Sequence, residues 1–174
     1  AEMAAGSRPA SRSMESAFWA MASVTPCAHS AGVPLFLKML TSRPASSPIL
    51  HGDLLIVHFD GFDVQYAVAL EKKTGRTVWR SDRTHDFGTD DGDQKKGYAT
   101  PVVIQASGGA QLISPAAKAV VSLDPLTGRE LWRVRYPQHS AAARPLFAHG
   151  LVYVASGRGK AELLAIRPDG QGDV

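Results

Sequence analysis

Val121–Arg133 reads VSLDPLTGRELWR, and Val68–Arg80, 53 residues earlier, reads VALEKKTGRTVWR. At that offset Leu70 matches Leu123, Thr74 matches Thr127, Gly75 matches Gly128, Arg76 matches Arg129, Trp79 matches Trp132 and Arg80 matches Arg133. Two long near-identities at one offset mark a repeated structural unit. Each copy has an alternating apolar run, an Asp/Glu-x-x-Thr-Gly turn and a second short run ending on Trp, which is the pattern of a β-hairpin. In the second copy Asp124 can bond forward to the backbone and Pro125 has its φ preset. Gly128 can take the left-handed conformation that ends a bulged loop.

Working outward, each unit divides into four short strands. Unit one predicts Pro48–Leu50, Leu54–His58, Tyr66–Leu70 and Thr77–Arg80; unit two predicts Pro101–Gln105, Ala110–Ser114, Ala119–Leu123 and Glu130–Arg133. A third unit starts at Arg144-Pro145 and runs through Leu151–Ala155 and Glu162–Ile166. Its turn, Arg167-Pro168-Asp169-Gly170, lacks the Thr-Gly pair. The expected fold is all-β: a partial β-propeller of four-stranded antiparallel blades at 47–97, 98–141 and an incomplete 142–174. Two and a half to three blades cannot close a ring, so the chain is expected to be part of a longer, seven- or eight-bladed protein.

The residues carry a resemblance. Ala-x-Asp-x-x-Thr-Gly-x-x-x-Trp is the docking motif of the pyrroloquinoline-quinone (PQQ)-type β-propeller repeat. This chain is similar at Ala69, Glu71, Thr74, Gly75 and Trp79, and again at Ser122, Asp124, Thr127, Gly128 and Trp132. Glu71 and Ser122 depart from the pattern. The resemblance implies that the two Trp rings pack one blade against the next. It also implies an extracytoplasmic location, and a family that holds both quinoprotein dehydrogenases and the barrel-assembly lipoprotein of the outer membrane.

Composition sets wider bounds. At 174 residues, 44% hydrophobic and 20% charged, the chain suits an ordinary globular domain. Its net charge of +3 comes from scattered Lys and Arg without aromatic interleaving, which gives nucleic-acid binding no footing. A lone cysteine, Cys27, excludes an internal disulfide and a multi-cysteine metal site. No apolar run approaches the roughly 18 residues of a membrane span. Residues 1–46 are Ala-, Ser- and Pro-rich and read as a separate irregular or targeting-like segment. Ser13 can cap a short helix over Met14–Val24, and Val33–Leu40 fits a strand or a buried helical turn.

A meander sorts its loops. A–B and C–D connections fall on one side, and here they are tight turns; B–C and D–A connections fall on the other, and here they are long and polar. Binding is expected on the long-loop side, where the resemblance also places the quinone and calcium of the dehydrogenases. On that side Lys118, Arg158 and Lys160 are candidates for a carboxylate or phosphate ligand, and His139 for contact with a ligand. The loop Ser81–Gly97 carries Asp86, Asp90, Asp91 and Asp93 around Gly92, a candidate calcium cluster that fails the spacing of the twelve-residue calcium loop. The leading functional expectation is a non-catalytic scaffold presenting loops to a protein or small ligand, with a protein partner or further blades on its exposed faces. The alternative is a piece of a PQQ- and calcium-dependent alcohol or sugar dehydrogenase, and the third is a sensor domain of a larger signalling protein.

Overall fold

The computed structural model describes residues 46–173. The expected helix at Met14–Val24, the lone Cys27 and the Val33–Leu40 segment lie outside the described residues. Blade one is the antiparallel meander β1 (Ile49–His51), β2 (Leu54–Asp60), β3 (Gln65–Glu71) and β4 (Thr77–Asp82). Blade two is β5 (Val102–Ala106), β6 (Gly109–Pro115), β7 (Ala119–Leu123) and β8 (Glu130–Arg135). The third sheet has three strands, β9 (Leu146–Ala148), β10 (Leu151–Ala155) and β11 (Leu163–Ile166). The all-β, partial-propeller expectation holds.

Both repeats fold their turns alike. Gly75 N donates to Glu71 O and Gly128 N to Asp124 O, each at 2.8 Å, with the glycines at φ 73° and 72°. Glu71 N and Asp124 N are closed by the Arg76 and Arg129 carbonyls, also at 2.8 Å. A register shift sits at the same place in each copy, Ala69/Leu70 and Ser122/Leu123. The departure at Glu71 has a physical outcome. Asp124 Oδ1 accepts from Leu126 N at 2.8 Å and Thr127 N at 3.2 Å, whereas Glu71, one methylene longer, accepts from the Thr74 hydroxyl at 2.6 Å.

Blade stacking follows from the two-residue period of the strands. Ile56, Ala67, Ala69 and Trp79 of blade one pack on Leu112, Ala119, Val121 and Leu123 of blade two. The alternate residues of blade two, with Ile113, Val120 and Trp132, pack on Val152, Val154 and Ile166 of the third sheet. Apolar neighbours on both faces explain why all five residues of β7 are buried.

The two Trp contacts differ in detail. Trp79 lies on Gly128, where a Cβ would come 2.5 Å from its ring, and its Nε1 donates to the Pro125 carbonyl at 3.0 Å. Trp132 Nε1 instead donates to Gln111 Oε1 at 2.9 Å, and Gln111 Nε2 donates to the Pro168 carbonyl at 2.7 Å. Ser122, the second departure from the pattern, also donates to Gln111 Oε1, at 3.1 Å. A glutamine therefore carries the second contact across the gap that the first Trp spans directly.

Three features were not legible beforehand. β2 runs two residues past His58, because Phe59 and Asp60 continue in register opposite Tyr66 and Gln65. A 3-10 turn, Gly92–Lys95, interrupts the Ser81–Gly97 loop, capped by Asp91 accepting from Asp93 N at 2.9 Å. Finally β12 (Gly172–Asp173) runs parallel to β8, Gly172 opposite Trp132, instead of pairing with β11. The turn before it is the one without Thr-Gly.

Candidate functional site

The long loops meet on one face and are stitched to one another through backbone groups. Gly97 N donates to Asp60 O at 3.0 Å, Tyr98 N to Ala141 O at 2.8 Å, and Ser140 N to Lys96 O at 2.8 Å. Lys118 N donates to Gln138 O at 2.9 Å and Arg158 N to His139 O at 2.7 Å. Loops from all three sheets thus form one surface. Tyr136 fixes it from beneath, its hydroxyl 2.7 and 2.9 Å from the Ala116 and Ala119 carbonyls.

Gln138 is the hub of the second half of this face. Besides accepting from Lys118 N, it donates from Nε2 to the Lys160 carbonyl at 2.6 Å, while its buried Oε1 has no partner. His139 beside it bridges to Arg158. The four basic candidates, Lys118, His139, Arg158 and Lys160, are therefore brought together around the Gln138–His139 backbone and the Gln138 side chain, which sequence reasoning passed over. The backbone here is specialised: Lys118 and Ser140 stand at φ 64° and 59°, conformations L-residues rarely take. Gly157 stands at φ 118°, where a Cβ would collide with the His139 carbonyl oxygen.

The first half of the face presents Phe62, 56% exposed. It lies directly against Gly92, where a Cβ would come 2.5 Å from the Phe62 carbonyl oxygen and 2.7 Å from its ring, and Lys96 Nζ stands 5.6 Å from the ring centre. The carboxylates of the same loop serve local turns. Asp86 accepts from Gly88 N at 2.8 Å, Asp91 from Asp93 N, and Asp93 pairs with Lys96 at 2.6 Å. Among the described residues no three His, Cys, Asp or Glu side chains are grouped to hold a metal ion. Asp86, Asp90, Asp91 and Asp93 do not form a calcium cage in this arrangement.

Beneath the face, at the junction of blades one and two, lies a buried polar chain. Arg83 binds Asp60 through two bonds of 2.9 and 2.8 Å and donates to Ser114 Oγ at 2.8 Å. Ser114 Oγ is 2.9 Å from His58 Nε2, and His58 Nδ1 is 3.9 Å from Asp60 Oδ2. Burial, and then the Arg83 charge, push the His58 pKa down to about 3 against the pull of Asp60. The order Ser-His-Asp imitates a nucleophile and its base, but Ser114, His58 and Asp60 are all inaccessible, so no substrate reaches the hydroxyl. The chain is a structural brace. His85 extends it, placing Nε2 2.8 Å from the Ala117 carbonyl of blade two, and burial lowers its pKa also. The signal was present in the sequence as His58 and Asp60 flanking Phe59 within an apolar strand.

An open cleft of about 460 Å³ is elsewhere, on the tight-turn side between Gln105–Ser107, Phe147–Leu151 and Arg167–Asp169. It is a notch between neighbouring hairpins, and none of the Gln138-centred residues line it. Convergence of polar groups favours the loop face.

Residues 64–171 match the family model described as outer membrane protein assembly factor BamB. Among solved structures, quinohemoprotein alcohol dehydrogenase from Comamonas testosteroni aligns with a TM-score of 0.54 at 16% identity, over 74% of this chain and 20% of that one. Quinohemoprotein alcohol dehydrogenase ADHIIG from Pseudomonas putida HK5 aligns at 0.50 and 12%, over 71% and 25%. BamB from Moraxella catarrhalis aligns at 0.49 and 18%, over 71% and 33%. At these identities the likeness is one of fold, and the chain spans between a fifth and a third of the length of those structures. A comparison with curated proteins found no match. Because the matched stretch covers more than half of the chain and contains both Thr-Gly turns with Trp79 and Trp132, the chain belongs to the BamB family of PQQ-type β-propeller repeat proteins.

Proposed function

We propose that this chain is part of a non-catalytic propeller scaffold that works outside the cytoplasm and binds a protein partner through its long-loop face, in support of outer-membrane protein assembly. The observation that carries the reading is the backbone stitching of loops from three sheets into one surface, with Phe62 held exposed over Gly92. An exposed aromatic ring has few rotatable bonds to freeze on binding and suits the centre of a protein interface.

The test places p-benzoylphenylalanine at position 62 of the native gene product, with position 126 on the turn side as control. Illumination in cells should join position 62, and not 126, to a protein of the outer-membrane assembly machinery. Phe62→Asp should reduce the amount of folded outer-membrane barrel protein. Equal cross-linking from both positions would discard the loop face as the interface. Dye reduction by the full-length product supplied with PQQ and calcium would replace this reading with that of a quinoprotein dehydrogenase.

A further inference from the structure

We propose that the basic cluster built on Gln138 is where the loop face takes an acidic, Asp- or Glu-bearing segment of its protein partner. This rests on the loop-face reading above and adds the partner's chemistry. Lys118, His139, Arg158 and Lys160 come from three separate loops, yet each is tied through its own backbone to Gln138 or to its neighbour. Scattered surface lysines need no such frame. Arg158 and Lys160 are exposed, and Lys118 Nζ is held 2.8 Å from the Pro137 carbonyl. Cationic side chains carried on a hydrogen-bonded loop frame recognise carboxylates with less ordering of the backbone on binding.

Two further observations point the same way. Gln138 is nine-tenths buried with Oε1 unpaired, and native proteins rarely leave such an acceptor empty without a use for it. The chain also contains a carboxylate already placed at the margin of the cluster. Asp93 has its carboxyl held below the usual range, first by Lys96 and then by the charges of His139 and Arg158. One carboxylate at the edge leaves most of the cationic group unmatched.

Recognition of an acidic segment differs from general attraction to the chain's positive charge, and the test is built on that difference. A fluorescein-labelled Glu-Ser repeat peptide is titrated with the full chain at low ionic strength and followed by anisotropy. Arg158→Glu with Lys160→Glu should weaken binding by about tenfold or more. Lys73→Glu with Arg129→Glu, the same charge change on the turn side, should leave it unchanged. Gln138→Met, which alters no charge but cuts the tie to Lys160, should also weaken it. Equal loss from the turn-side pair would reduce the effect to net charge and overturn the proposal. Full displacement by inorganic phosphate would overturn it too, by making the cluster a small-anion site. The cross-link at position 62 separates the two readings. If it persists in Arg158→Glu/Lys160→Glu, the loop face stands and the cluster assignment falls; if it is lost there but kept in the turn-side pair, both are supported.

Discussion

The contact between Trp79 and Gly128 allows a sharp test of how successive blades are held. Alanine at 128 faces two costs. The first is its backbone at φ +72°, about 1–2 kcal/mol for an L-residue, partly offset by the reduced freedom of the unfolded chain. The second is steric: the new Cβ would sit 2.5 Å from Trp79 Cε3 and 2.7 Å from Cδ2, about 1 Å inside ordinary contact. The ring cannot yield by that much and keep its 3.0 Å bond to the Pro125 carbonyl. Losing that bond or overpacking the interface costs a further 1–3 kcal/mol or so. Gly150 isolates the first cost, because it has φ +74° and nothing within 4 Å of its would-be Cβ. Urea unfolding of the chain, followed by far-ultraviolet circular dichroism, should show Gly150→Ala costing about 1 kcal/mol and Gly128→Ala about 3 kcal/mol. With Trp79→Ala already in place, Gly128→Ala should return to about 1 kcal/mol, a coupling of about 2 kcal/mol. Equal costs at 128 and 150, or additivity with Trp79→Ala, would refute the stacking argument.

Other outcomes follow from the same geometry. Gln111→Leu should cost about 2–3 kcal/mol, more than Trp132→Phe, since it leaves Trp132 Nε1, Ser122 Oγ and the Pro168 carbonyl without their partner; urea midpoints rank the two. Arg83→Met should cost about 3–5 kcal/mol by leaving Asp60 buried and unpaired, whereas Arg83→Met with Asp60→Leu should cost less, and hydrogen exchange in the 81–97 loop should rise in the single variant. His58, neutral when folded, binds its proton more readily in the unfolded chain, so its contribution is full above the unfolded pKa near 6.5 and is lost as pH falls toward about 3. That is about 1.4 kcal/mol per pH unit and about 2 kcal/mol by pH 5. Nuclear magnetic resonance should find the ring neutral at pH 5, and a protonated ring there would refute the argument.

What the sequence determined by itself is the repeat and its consequences. Thr74-Gly75 and Thr127-Gly128 announce their turns because only glycine takes φ near +72° freely there, and the turn chemistry lies within a few residues. The alternation along Val68–Leu70 and Val121–Leu123 likewise marks strands, and meander connectivity alone sorts the loops to two sides. The basic residues of the loop face were also legible as types, though not as a group. Their grouping depends on Gln138, a neutral residue with no signature until its backbone carbonyl meets Lys118 N and its side chain meets the Lys160 carbonyl, from 20 and 22 residues away. The same holds for Asp60, Arg83, Ser114 and His58: a charge pair excluded from water is specified by two blades packing together, and no local pattern encodes that. The Ser81–Gly97 acids show the converse. Their clustering in sequence suggests a metal, but Asp86 and Asp91 accept from N–H groups of their own loop and Asp93 pairs with Lys96. Turns and strands are decided by forces acting within a few residues, so the sequence declares them; the site is made by distances between loops, which are set only when the blades stack.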